Sequence, residues 1–203
     1  MTKEEIITGL QNWEDMRGDA SKLIACFEQG NCFFYDIDEI HPLSKKNLHA
    51  YPALTNYGEF KFFMIPAEFD TPEHAEDYNL HVTECSVFWT VGSGKIDDKE
   101  ATERIERWRT HYQEWTHGQV KTEDGIFVAF KIHVGDFESH DAQVTLGLRA
   151  NGQQYNPYSA DLIVVNKDFE LITSYNDYSE PVPPFGAAAS SVDKFFLLSL
   201  TSA

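Results

Sequence analysis

Two alternating segments between Gly125 and Ala150 constrain this chain more than any other feature. In the first, Ile126, Val128, Phe130, Ile132 and Val134 share one side, while Phe127, Ala129, Lys131 and His133 share the other. In the second, Ala142, Val144, Leu146 and Leu148 repeat the apolar side, and Gln143, Thr145, Gly147 and Arg149 repeat the mixed one. Strand side chains alternate with a period of two, so each segment reads as a strand with one face in a core. Joined as a hairpin with Val134 opposite Ala142, they set Ala129 beside Gly147, Lys131 beside Thr145, His133 beside Gln143 and Arg149 beside Phe127. Glycine inside a strand marks a close approach to the backbone. The pairing therefore predicts a shallow dent at Gly147, with Lys131, His133 and Arg149 around it and Thr145 in its wall. The competing reading is a helix packed over the dent, with the basic tips reaching acidic loops.

Three basic groups on one face stand out because the chain carries 16 Lys and Arg against 33 Asp and Glu, a formal charge of −17. That balance disfavours nucleic acid and anionic membrane surfaces, both of which are bound through Lys and Arg. It leaves solubility, or an acidic surface that receives a basic protein, as its physical meaning. No run approaches the ~18 apolar residues of a membrane span. The start of the chain is amphipathic and charged rather than signal-like. Three cysteines (Cys26, Cys32 and Cys85) have no disulfide-framework or zinc-knuckle spacing, so a cytoplasmic location is expected.

The rest of the chain reads as helix, strands, helix, strands, helix. Thr2 and Glu5 have capping-box spacing ahead of an apolar stripe (Ile6, Leu10, Trp13, Leu23, Phe27), which predicts a helix over 3–28 with a weak point near Gly18. Strands are expected at 32–37, at 48–54 and 59–65 around a Thr55–Gly58 turn, and over 80–91. Pro52 would place its strand at an edge or at a bulge. A short helical turn follows Pro72. Asp97 and Glu100 open a second long helix with Ala101, Ile105, Trp108, Tyr112 and Trp115 on one face. Asn151-Gly152 turns the 142–150 strand back, a hairpin forms about Asn166–Asp168, and the chain closes on a short helix over 192–200 or, equally, a buried strand at 195–198, since a short apolar run does not settle its own period. Short joins favour antiparallel pairing. The expected architecture is a single α+β domain over residues 1–203. Its core is one twisted, mainly antiparallel sheet of about seven or eight strands, covered by two long helices and a short C-terminal helix.

No catalytic motif accompanies this pattern. Gly92-Ser93-Gly94-Lys95 lies between a strand and a helix, but the Walker spacing fails and Asp97 and Asp98 would repel phosphate. His74 and His81 flank the turn among Glu73, Glu76, Asp77 and Glu84, His111 lies six residues from His117, and His133 and His140 bracket a loop, but none reproduces a known ligand spacing. The sequence thus assigns no metal site and no cofactor. Residues 68–84 hold six acids and no Lys or Arg, without a calcium-loop pattern. Cys85 lies among alternating neighbours, where a small buried hydrophobe is the ordinary role. Tyr155, Tyr158, Tyr175 and Tyr178, with Pro183-Pro184-Phe185, offer a surface for self-association or a protein partner, unless the rings fold back over the sheet.

The functional expectation is a binding domain for a small anionic or polar ligand at Lys131, His133, Arg149, Thr145 and Gly147. Two alternatives stand beside it: a hydrolase-like enzyme with His133 as acid or base, and an acidic protein-interaction module.

Overall fold

Thr2 and Glu5 close the expected capping box, each accepting the other's backbone N–H (3.2 and 2.7 Å), and α1 runs Lys3–Met16. The chain breaks beside Gly18, and Asp19 restarts it by accepting from the N–H groups of Ser21 and Lys22, giving α2, Ala20–Phe27. The computed structural model describes residues 1–37, 47–89, 99–139, 142–152, 156–168, 171–176, 179–182 and 195–201. The Gly92–Lys95 motif and the Asp97 cap lie outside the described residues.

Nine strands form among the described residues: β1 Cys32–Tyr35, β2 Asn47–Leu54, β3 Phe60–Pro66, β4 Thr83–Ser86, β5 Ala129–His133, β6 Ala142–Ala150, β7 Tyr158–Asp168, β8 Leu171–Asn176 and β9 Glu180–Val182. The long second helix, α3, is Lys99–Gln119, and the C-terminal helix, α4, is Phe196–Ser199. The α+β class and the antiparallel pairing are as expected, but the strands divide into two sheets, ordered β1-β6-β7-β8 and β4-β3-β2-β5-β9. Between Leu80 and Phe88 only β4 and a single Cys32–Phe88 bridge replace the expected long strand. No helix among the described residues is long and apolar enough to cross a membrane.

The two sheets share a core. Ala50, Phe62, Phe130 and Ile132 from one meet Phe33, Val144, Leu146 and Leu162 from the other, with Phe33 stacked on Phe62 at 4.6 Å. Tyr51, Ala53, Phe63 and Ile65 use the opposite face of β2 and β3 to pack under α1 and the C-terminal segment. Both faces of β2 and β3 are therefore buried, so their sequences read as nearly unbroken apolar runs. Gly9 makes the approach of α1 possible: a Cβ there would lie 2.9 Å from the Phe63 ring and 3.3 Å from the Ala53 Cβ. Pro52 sits in an inner strand, but β5 pairs only with Asn47–Ala50, so on that side the strand is locally an edge.

The hairpin expected between 126–134 and 142–150 does not form. β5 pairs with β2 and β9, whereas β6 pairs with β1 and β7. The two apolar faces meet across the inter-sheet core rather than side by side. Asn166 fixes this crossover. Its Oδ1 accepts from the N–H groups of Glu138 and Ser139 (2.8 and 3.2 Å), and its amide donates to the Asp136 carbonyl (2.8 Å). Asn166→Ala is expected to cost about 2 kcal/mol, because the part-buried Glu138 and Ser139 N–H groups lose their shared acceptor and the Asp136 carbonyl loses one donor while keeping Asn176. A urea midpoint unchanged from that of the parent protein would refute this.

Candidate metal centre

The residues expected to form one ligand face are split between the sheets. Lys131 and His133 lie on β5, with Lys131 across from His49 and Glu180. His133 is exposed, and its Nδ1 accepts the Gly135 N–H at 3.0 Å, so this nitrogen caps a turn rather than facing a cleft. Thr145, Gly147 and Arg149 lie on β6. Thr145 is fully buried, with its hydroxyl accepting from the Gln143 amide (2.9 Å).

The Gly147 dent exists but is filled. A Cβ on Gly147 would meet Ile163 Cδ1 at 2.9 Å and the Arg104 Cβ at 3.2 Å, so α3 lies against it. β1 covers only the 142–145 half of β6, and α3 borders the remainder. Arg107 donates to the Leu148 carbonyl at 3.3 Å along that free edge. The anion at this place is the protein's own. Asp161, directly across from Gly147, has a side chain with no exposed surface. It accepts from Arg104 Nη1 at 2.8 Å and from the Ser179 hydroxyl at 2.6 Å, with Arg149 adding a favourable charge. Burial still outweighs these partners and raises the Asp161 carboxyl above its ordinary value.

Two of the thiols and two of the four tyrosines can be placed. Burial pushes the Cys26 thiol up to about 11 and the Cys85 thiol, with help from Glu84, up to about 12, so both are protonated at neutral pH. Tyr158 is half-buried against the shared core, and Tyr175 packs beside Ala101, Ile163 and Val165. Tyr155, Tyr178, Pro183–Phe185 and His140 lie outside the described residues. A recess of 370 Å³ opens between α1, α2 and the β2–β3 hairpin, with Met16 and Cys26 among its walls.

Side chains that sequence spacing left scattered converge instead on the segment from Phe69 to His81. This segment winds through two 3-10 turns, Pro72–His74 and Tyr78–Leu80, with hydrogen bonds from His74 N–H to Thr71, Asp77 N–H to His74 and Leu80 N–H to Asp77. Residues three apart eclipse in such turns, which brings His74 and Asp77 together, and His81 follows one turn on. His74 Nδ1 lies 2.9 Å from Asp77 Oδ1, and His81 Nε2 lies 3.8 Å from Asp77 Oδ2. One ligand atom from each of the three residues lies within 4.8 Å of the others. The His74 hydrogen bond, with the two imidazoles nearby, holds the Asp77 carboxyl below its ordinary range. Phe69 stacks face to face on His81 (3.8 Å between centroids, 2° between planes) and stands edge-on to His74 at 5.0 Å.

Both ends of the segment are clamped. Asp70 is buried beneath it, accepting from Tyr51 Oη, from His49 Nδ1 at 2.5 Å and from the Leu197 N–H at 3.0 Å. The His49 ring stacks on Phe195 at 3.9 Å. Burial, then the Asp70 charge, raises the Tyr51 hydroxyl well above its ordinary value, so it remains a donor. At the other end Tyr78 is buried, with Lys3 Nζ 5.7 Å from its ring centre. Lys3 also donates to the Ala75 carbonyl (3.1 Å) and pairs with Glu76 (3.0 Å).

The sequence signal for His49 and Tyr51 was present as two polar-tipped rings two residues apart on an otherwise apolar strand. Nothing local pointed from them to Asp70, and spacing alone did not show that Asp77 would sit between two imidazoles. Set against known family models, curated proteins and solved structures, the chain matches none.

Proposed function

We propose that this chain is a binding domain whose ligand is a divalent transition metal, held by His74, Asp77 and His81, rather than a small anion on a sheet face. The observation that carries this reading is the approach of two imidazole nitrogens and one carboxylate oxygen to within 4.8 Å of one another. Ligands at ~2.0–2.1 Å from one tetrahedral ion lie roughly 3.3 Å apart, so contraction by side-chain rotation completes the set. Nitrogen donors with one carboxylate suit zinc, cobalt, nickel or copper better than calcium, which takes oxygen ligands. Clamping by Asp70 and Tyr78 lowers the ordering cost of binding, and the stacked Phe69 fixes one imidazole plane. The acidic stretch over 68–84 adds a field that favours a cation.

Three buried thiols without a disulfide among them accord with a reducing, cytoplasmic setting.

Zinc titration by calorimetry on untagged protein is expected to give one site per chain, with proton release on binding and weaker affinity in acid. His81→Ala and Asp77→Ala should each weaken zinc by more than the ~10–100-fold typical of losing an outer-shell partner. A stoichiometry unaffected by both substitutions would overturn the assignment.

A further inference from the structure

The recess between α1, α2 and the β2–β3 hairpin has the build of a small-molecule site and shares no lining residue with the proposed metal centre. Helical spacing makes two of its walls. Asn12, Asp15 and Met16 share one face of α1. Lys22, Ala25, Cys26 and the following Gln29 recur at threes and fours along α2 and its end. The hairpin makes the third wall through Leu54 and Gly58. Two amides hold these walls in place. Asn12 Nδ2 donates to the Leu54 carbonyl at 2.9 Å, which ties β2 to α1. Gln29 donates to the Gly58 carbonyl and accepts the Phe60 N–H, both at 2.8 Å, which ties the turn to the end of α2. A hollow pinned in this way is formed before a ligand arrives, and that lowers the cost of binding.

The chemistry of the recess changes with depth. Met16 and Cys26 are buried, with their sulfur atoms 3.6 Å apart. Burial keeps the Cys26 thiol protonated, so the floor they form carries no charge. Sulfur is polarizable and packs favourably against aromatic rings. The rim carries both signs: Asp15 from α1 and Lys22 from α2, each exposed. A simple anion is repelled by Asp15, and a simple cation by Lys22. A molecule with both charges finds an opposite partner on each side. The volume of 370 Å³ lies near the low end of the ~300–1,000 Å³ range for organic ligands, room for one ring rather than for a nucleotide. We propose that this recess binds a free aromatic α-amino acid, with its ring on the Met16–Cys26 floor, its carboxylate toward Lys22 and its ammonium toward Asp15. The floor supplies the affinity, because burying a ring outweighs exposed ion pairs, and the rim supplies the selection.

Amide-resolved NMR on the full chain provides the test, with four probes: phenylalanine, phenethylamine (no carboxylate), 3-phenylpropionate (no ammonium) and alanine (both charges, no ring). Phenylalanine is expected to shift the amides of Met16, Ala25, Cys26 and Gly58 saturably. It should bind roughly two- to fivefold tighter than phenethylamine or 3-phenylpropionate, the range for one exposed ion pair, and at least about tenfold tighter than alanine, which has no ring to bury. Lys22→Gln should remove the advantage over phenethylamine, and Asp15→Asn the advantage over 3-phenylpropionate. Ala25→Trp, at an exposed position of α2, should fill the recess and abolish binding of all four while leaving the urea midpoint unchanged. No saturable shift up to about 10 mM phenylalanine, equal affinity for phenylalanine and its two singly charged relatives, or affinity for alanine equal to that for phenylalanine would overturn the proposal. So would binding that survives Ala25→Trp.

Discussion

Asp70→Ala is expected to lower the unfolding free energy by about 3–5 kcal/mol, because three buried donors lose their acceptor at roughly 1–3 kcal/mol each. For a chain of this length that is a fall of roughly 10 °C in the thermal midpoint. Asp70 is 1% exposed, and its two oxygens serve three donors, two from β2 and one from the C-terminal segment. His49 Nδ1 and Tyr51 Oη both give to Oδ2, and the Leu197 N–H gives to Oδ1. Alanine leaves all three buried without an acceptor. Asp70→Asn is the informative companion. If its carbonyl oxygen replaces Oδ2, the amide NH2 faces the Leu197 N–H, donor against donor. The cost should be smaller, about 1–3 kcal/mol, and should fall on the C-terminal segment. Hydrogen exchange can locate it: in Asp70→Asn the Leu197 amide should lose protection more than β2 and β3 do. Denaturation midpoints within experimental scatter of the parent protein for both variants would show that the carboxylate does not hold the segment.

The second large effect concerns Asp161. Asp161→Ala is also expected to cost about 3–5 kcal/mol, because Arg104, only 12% exposed along its side chain, would keep its charge without the buried acceptor. The double replacement Arg104→Met with Asp161→Leu should recover most of that loss, since an apolar pair of similar volume avoids desolvating two charges. The raised Asp161 carboxyl gives a pH signature of definite sign. Its folded value lies above its unfolded one, so protonation favours the folded state. The stabilisation is fully present below the unfolded value near ~3.9 and is lost as pH rises through the folded value. Over that acid window, stability should fall with rising pH in the parent protein relative to Asp161→Asn. The opposite slope would mean that Arg104, Arg149 and Ser179 outweigh burial. A double variant no more stable than Asp161→Ala would show that the arginine's other contacts, such as Glu100 at 2.9 Å, dominate.

These two carboxylates also mark where reading the sequence stopped. The α+β class, the capped first helix with its break at Gly18, the β2–β3 hairpin and the two sides of β6 all follow from spacing, caps and alternation, which act within a few residues. The face assignment for β6 holds: Ala142, Val144, Leu146 and Leu148 lie in the shared core. Its partner does not, because alternation defines which way side chains point and leaves open which strand lies alongside. The dent at Gly147 was legible, and the helix packed over it was the competing reading. What could not be read was that Asp161, fourteen positions further on, would present an anion to the Arg104 that covers it.

By itself, then, the sequence determined local periods, caps and faces, since these depend on neighbours three or four positions away at most. Only the tertiary structure decided that β5 and β6 belong to different sheets, that Asp70 receives donors 19, 21 and 127 positions distant, and that a tightly wound, doubly clamped segment sets Asp77 between two imidazoles. Burial of both faces of β2 and β3 drives that outcome. It rewards pairing that closes one continuous apolar interior, and contacts made far apart along the chain leave no local spacing to find.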